Sequence, residues 1–172
     1  MELLDIVDEN NNLTDRVEDK DIVHEQGLWH REVSIWVMNE KGEVLLQKRA
    51  ATKRLRPNKW AMCGGHVGTG ENEEVAAKRE LFEEMGLKAS SLELLFIDKT
   101  DISDNRRFSY MYFWKTNAKI EDCTIQYDEL SEIKYITIAE LERIVKDEDE
   151  DYVFPRRNYM PRIIEELKKR AN

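Results

Sequence analysis

The sequence predicts an α/β domain of the α+β kind, in which strands outnumber helices. Three observations point there. Short apolar runs of strand length recur between turn signals. One glycine-bounded stretch, 65–87, reads as a loop followed by a helix crowded with carboxylates. Across all 172 residues there is no repeat and no low-complexity linker, so residues 1–172 form one domain long enough for a proper core.

The elements follow in order. Residues 3–7 read as a short strand closed by the turn-rich 9–12, and 14–27 is polar and reads as a covering loop, so 1–29 is a strand-and-loop extension. Residues 33–38 and 44–47 flank Asn39-Glu40-Lys41-Gly42 as a hairpin. Short strands at 60–63 and 66–67 surround the double glycine Gly64-Gly65. The central helix starts at Asn72 as N-cap and runs to Met85, with Gly86 as its left-handed stop. Further strands are expected at 92–98, 108–115 and 132–136. Helices follow at 138–146 and 161–170, the latter with Pro161 in its permitted first turn.

On the central helix, Glu80, Glu83 and Glu84 stand at i, i+3 and i+4, on one face and within reach of one another. Like charges on one stripe repel, and a divalent cation is the natural neutraliser. Hard Mg²⁺ prefers oxygen ligands and binds few carboxylates together with substrate phosphates. An exposed helix laced with i,i+4 pairs would leave the flanking glycines unexplained. Ala76 and Ala77 share the arc of the glutamates and are expected to leave room for metal waters. Val75, Leu81, Phe82 and Met85 are expected to pack on the sheet.

The same 23 residues, 65–87, resemble the Nudix box, G-x5-E-x7-R-E-U-x-E-E-x-G-U with U apolar. The nine specified positions are Gly65, Glu71, Arg79, Glu80, Leu81, Glu83, Glu84, Gly86 and Leu87, and all nine fit. The resemblance implies an α/β/α sandwich with a mixed sheet and hydrolysis of a diphosphate linkage with Mg²⁺, or Mn²⁺ in its place. It makes Glu83 and Glu84 the best metal ligands, with the Gly64 carbonyl beside them. Glu80 is then a third ligand or the general base, and Arg79 a positioning cation for a carboxylate such as Glu80. Glu71 is expected to brace the loop at the substrate side of the site, next to Gly65. Upstream, Lys48, Arg49, Lys53, Arg54, Arg56 and Lys59 form a basic stretch in an acidic chain. Arg49 and Arg54 are the first expected phosphate clamps, because guanidinium binds phosphate bidentately. Trp29, Trp36 and Trp60 are expected in the core, and His66 at the edge of the site.

Over its whole length the chain resembles the Nudix branch around isopentenyl diphosphate isomerase, through Lys48-Arg49-Ala50, Lys53 and Pro57-Asn58-Lys59-Trp60. That isomerase needs a cysteine immediately before the glycine–histidine of its loop and an acidic pair on a later strand. Gly64 stands at the cysteine position, and Cys63 lies one residue early, which on a strand turns its side chain to the opposite face. The later strand, Arg107 to Tyr112, carries no acidic residue. Hydrolysis is therefore preferred, with isomerisation as the alternative and a non-catalytic binding module as the third reading. The net charge of −9 argues against nucleic acid as a partner and leaves a small phosphorylated molecule. No apolar run approaches the roughly 18 residues of a membrane span. Two cysteines and no signal peptide indicate a cytoplasmic setting, and 152–155 is a candidate dimer contact.

Overall fold

Two neighbouring strands, β3 (His30–Met38) and β8 (Asn105–Lys115), run parallel through the middle of the molecule, paired from His30↔Arg107 to Met38↔Lys115. Both are apolar on both faces over most of their length, as expected for strands covered on either side. The computed structural model describes residues 2–103, 105–154 and 156–171.

All other pairings in this sheet are antiparallel, which makes it mixed. Its order is β5 (Trp60–Ala61), β4 (Val44–Arg49), β3, β8, β7 (Glu93–Ile102). Two strands lie off this path: β6 (Cys63–His66) pairs with β3, and β9 (Leu130–Ile136) with β4. One face carries Val33, Ile35, Val37, Tyr110 and Tyr112 and receives α2 (Glu73–Met85) through Ala76, Ala77, Leu81 and Met85. The opposite face carries Trp36, Met38, Met111 and Phe113. Against it pack α3 (Ile138–Lys146) through Leu141 and Ile144, and α4 (Met160–Ala171) through Ile163 and Leu167. This is the α/β/α sandwich expected.

Two expectations about local structure need correction. The polar segment 14–27 is not a loop. It forms β2 (Leu13–Asp19), paired antiparallel with β1 (Leu3–Val7), and then α1 (Lys20–Gln26). Strand β2 has no apolar alternation because it is largely exposed; backbone pairing holds it. Helix α1 is set by its ends: Asp19 accepts from the Asp21 amide, Gly27 closes it at φ 58, and Val23 is its buried anchor. The second correction concerns the faces of α2. Ala76 and Ala77 are fully buried against the sheet rather than lining open space, while Val75 and Phe82 are exposed (55% and 49%). The small alanines let the helix approach the sheet closely.

Phe154 belongs to the chain's own core, edge-on to Trp36 with ring centroids 5.7 Å apart, so it offers no dimer surface. Pro155, also in that candidate contact, lies outside the described residues.

Helix α2 is bounded as its sequence demands. The Asn72 side chain accepts from the Glu74 amide at 2.9 Å, and Gly86 ends the helix at φ 69. A Cβ on Gly86 would lie 3.0 Å from the Thr124 Cβ. Gly86→Ala should therefore lower the unfolding free energy by about 1–2 kcal/mol through its left-handed backbone alone, read from urea denaturation. An unchanged midpoint would show that the helix end relaxes freely.

Candidate active site

The site forms where β6 passes beside α2. Strand β6 is antiparallel to β3, with Val33↔Gly65 and Ser34↔Gly64 in register. Both glycines are required by close approach. A Cβ at Gly64 would lie 2.2 Å from the Val33 carbonyl oxygen, and one at Gly65 would lie 2.4 Å from Glu80 Oε1. Glycine here lets a carboxylate of the helix touch the strand.

Glu84 is buried, 9% exposed, with Oε2 accepting from Gln47 Nε2 at 2.8 Å and from the Gly64 amide at 3.2 Å. Burial pushes its carboxyl pKa up; the Cys63 thiol, Gln47 and Gly64 pull it back. One turn earlier, Glu80 is raised from 4.5 to about 7, by burial first and the Glu84 charge second, against the pull of Arg79. Two carboxylates thus share a space in which neither is easily charged alone.

Arg79 is the hub of the remaining contacts. Its Nε and Nη2 donate to the two oxygens of Glu71, both at 2.9 Å. Its Nη1 donates to Glu80 at 2.7 Å and Glu83 at 3.1 Å, and Nη2 also reaches the His66 carbonyl at 3.0 Å. Glu71 is held ionised by Arg79, and its Oε2 also accepts from the Gly68 amide at 3.0 Å. The guanidinium therefore ties the loop to the helix. Glu83 is half exposed beside it.

Of the other expected residues, Arg49 lies two positions beyond Gln47 on β4 and donates to the Leu55 carbonyl at 3.1 Å. Arg54 stands at the solvent edge, 82% exposed, 3.5 Å from Asp21. Lys48 pairs with Glu132 at 2.7 Å, and Lys53 pairs with Glu129. Trp36 is fully buried, whereas Trp29 and Trp60 are partly buried beside Lys99 and Lys134.

Sequence reasoning missed a second cluster. All three histidines of the chain meet: ring nitrogens of His24, His30 and His66 lie within 4.8 Å of one another. His24 and His66 face each other Nε2 to Nε2 at 3.0 Å, and buried His30 has an unpartnered Nε2. Glu32 Oε1 lies 3.7 Å from His30 and 4.0 Å from His66, and its Oε2 lies 2.9 Å from Arg107. Burial alone would raise the Glu32 pKa, but the His30 ring and the charges of Arg107 and His66 bring it to about 2. Imidazoles at this spacing could hold a transition-metal ion, a softer set than the carboxylates of α2. The sequence signal was slight: Glu32 and His66 come together only through the β3–β6 register.

The sandwich, the glycine strand and the carboxylate helix together define the class of protein. A family model described as the NUDIX domain matches residues 28–157, and the chain belongs to the Nudix family, as a hydrolase. It is similar to an uncharacterized Nudix hydrolase of Clostridium acetobutylicum, at 37% identity over 163 residues covering 89% of this chain and 78% of the relative. It is also similar to isopentenyl-diphosphate Delta-isomerase 2 of Photorhabdus laumondii, at 33% over 153 residues covering 88% and 86%. The crystal structure of a Deinococcus radiodurans protein superposes with a TM-score of 0.76 at 22% identity, covering 96% of this chain and 99% of that one. Such a likeness shows the fold. Among the described residues, no helix is long and apolar enough to cross a membrane.

The raised Glu80 pKa has a testable sign. Between pH 4.5 and about 7, folded Glu80 keeps a proton that the unfolded chain has lost, so stability falls as pH rises through that window. Above it the full penalty applies, on the order of 3 kcal/mol at most. In EDTA, the melting temperature of wild type should drop by several degrees relative to Glu80→Gln between pH 5 and pH 8. Parallel profiles would place the Glu80 pKa near its ordinary value.

Proposed function

We propose that the protein hydrolyses a diphosphate linkage, with Mg²⁺, in a nucleoside diphosphate derivative or a similar small phosphorylated metabolite. The observation that carries this reading is the pair Glu80 and Glu84, largely buried and apposed to a glycine strand, with the Arg79 guanidinium divided among Glu71, Glu80 and Glu83. Such a pair is costly unless a cation discharges it. Its all-oxygen donor set suits Mg²⁺, with Mn²⁺ as a substitute. Glu84 and Glu83, with the Gly64 carbonyl, would hold the ion, and Glu80 would be a third ligand or the general base. A bound ion there would neutralise charge on phosphoryl oxygens and acidify a water.

The chain's own groups supply the rest. Gln47 and the Gly64 amide fix the Glu84 carboxylate by two hydrogen bonds. Arg79 orients Glu80 for whichever of its two roles, ligand or base, it takes. Glu71 holds Arg79 and the Gly68 turn, which keeps the loop that carries Gly65 in place. Arg49, two residues beyond Gln47 on the same strand, would meet an anionic substrate.

Isomerisation is less well supported, although several relatives carry that name. Cys63 is fully buried in the core facing α2, with its thiol pKa pushed well above the usual value by burial and by Glu84. Opposite His30 and Glu32, strand β8 offers Arg107 and Ser109, not carboxylates. Cys63 and Cys123 are free thiols, which supports a reducing, cytoplasmic setting. The acidic surface supports a small-molecule rather than a nucleic-acid partner.

The test is a turnover screen in Mg²⁺ and in EDTA, with wild type beside Glu84→Gln. It should cover nucleoside di- and triphosphates, nucleotide sugars, ADP-ribose, coenzyme A and isopentenyl diphosphate. Phosphate-bond cleavage that needs Mg²⁺ and falls by about 10²-fold or more in the mutant is expected. Isomerised isopentenyl diphosphate without cleavage would replace this reading, and no turnover of any compound would favour a binding module.

A further inference from the structure

In a chain of net charge −9, almost every arginine finds a carboxylate. Of the 13 arginines, nine lie within 4.0 Å of a carboxylate among the described residues. A tenth, Arg162, lies over the Phe96 ring at 4.0 Å. The remaining three are Arg49, Arg56 and Arg157, and they are brought together from 49–56 and 157. Desolvation and the charges of Arg157, Arg107 and Arg49 all lower the pKa of Arg56. Glu32 offsets these charges at Arg56, but it is itself held by Arg107 at 2.9 Å, so the gathered cations favour an anion that arrives from outside.

The local fold builds this arrangement deliberately. The loop 50–58 closes on Arg49, whose amide donates to the Lys59 carbonyl at 2.9 Å and whose carbonyl accepts from the Asn58 amide at 3.1 Å. Within it Arg56 adopts φ 50, a left-handed conformation uncommon for arginine. Arg56 and Arg157 line a cleft of about 420 Å³, together with Lys59, Tyr152 and Arg156. The cleft also has an acidic rim, but Glu148 and Glu150 are taken by Arg156 at 2.9 and 3.4 Å, and Asp149 Oδ1 accepts from the Asp151 amide at 3.0 Å. Arg107, 5% exposed, stands behind with its Nε on Glu32.

We propose that Arg56 and Arg157, approached by Arg49 and backed by Arg107, form a binding subsite for a phosphomonoester. It would hold a second phosphate on the part of the substrate away from the cleaved linkage. Two guanidinia suit a phosphate dianion, which they can grip by paired N–H···O bonds, better than a singly charged carboxylate. The position along the substrate follows from β4. Gln47 donates to Glu84, and Arg49 lies two residues on, about 7 Å along the strand. A ligand whose diphosphate sits at Glu80 and Glu84 would have to extend past the end of β4, where Arg49 stands, to reach a cleft lined by Tyr152 and Val153, which pack on the α3–α4 side of the sheet. Assignment to the substrate rests on the hydrolase reading above; the capacity to bind a phosphate dianion does not.

The first experiment is therefore independent of catalysis. Inorganic phosphate, with acetate as the singly charged control, is titrated into the metal-free full-length protein in EDTA. Arginine Nε–H and backbone amide resonances are followed by NMR. Phosphate should saturate shifts centred on Arg56 and Arg157, acetate should not, and Arg56→Ala/Arg157→Ala should weaken binding by at least about tenfold. The otherwise unchanged spectrum of the variant would show that it folds. No shift at these residues, or equal binding by the variant, would overturn the subsite. In the second, phosphate is tested as an inhibitor of whichever compound the Mg²⁺ screen shows to be cleaved. Competitive inhibition lost in the double variant ties the subsite to the substrate, and inhibition that is non-competitive removes that tie. Phosphate binding without any turnover would sink the hydrolase reading and leave the anion site standing.

Discussion

The repulsion between Glu80 and Glu84 organises this molecule's active end. Both project from adjacent turns of one helix into a space from which water is largely removed, where two negative charges cannot coexist cheaply. The fold nonetheless invests in holding them there. Gly64 is bare against the Val33–Ser34 backbone and Gly65 against the Glu80 carboxylate, and Gln47 is buried to point an amide at Glu84. Arg79 bonds to three different glutamates and to the His66 carbonyl. Arrangements that concentrate like charge and then brace it tightly are characteristic of sites completed by a counter-ion.

The sheet holds that site in place. Strands β3 and β8 give one face to α2 and the other to α3 and α4, so a core on each side holds the strands flat between them. At the His30 end the apolar pattern gives way to His30, Glu32, Arg107 and Ser109, and the sheet presents ionic groups instead. The charged pair Glu32–Arg107, the three histidines and the loop carrying Arg56 all lie toward this polar end. Strand register, more than any single motif, places them together.

Legibility in the sequence followed the distance over which each feature is encoded. The box was readable because its spacing is local: the glutamates meet through one helix turn, and Asn72 and Gly86 mark that helix at both ends. The β3 and β8 runs were readable because they are apolar on both faces. Strand β2 was not, because it is exposed and held by main-chain bonds that leave no side-chain pattern. The faces of α2 were sorted wrongly at Ala76 and Ala77, since small residues fit either a cavity or a close contact and only the packing decides. The histidine cluster and the Arg56–Arg157 cleft join residues separated by about 40 and 100 positions, and no local rule reaches that far. Cys63 is buried with its thiol beside Glu84, a contact that strand alternation alone did not reveal.

Calorimetric titration of Mg²⁺ into the metal-free protein addresses the carboxylate pair most directly, carried out in two buffers of different ionisation enthalpy so that proton release can be counted. If the cation discharges Glu80 and Glu84, binding at pH 6 should expel about one proton or more per ion, and the number should fall toward zero above pH 8. Binding with no proton release at pH 6, or no binding at all, would mean that these buried glutamates serve some purpose other than holding a metal.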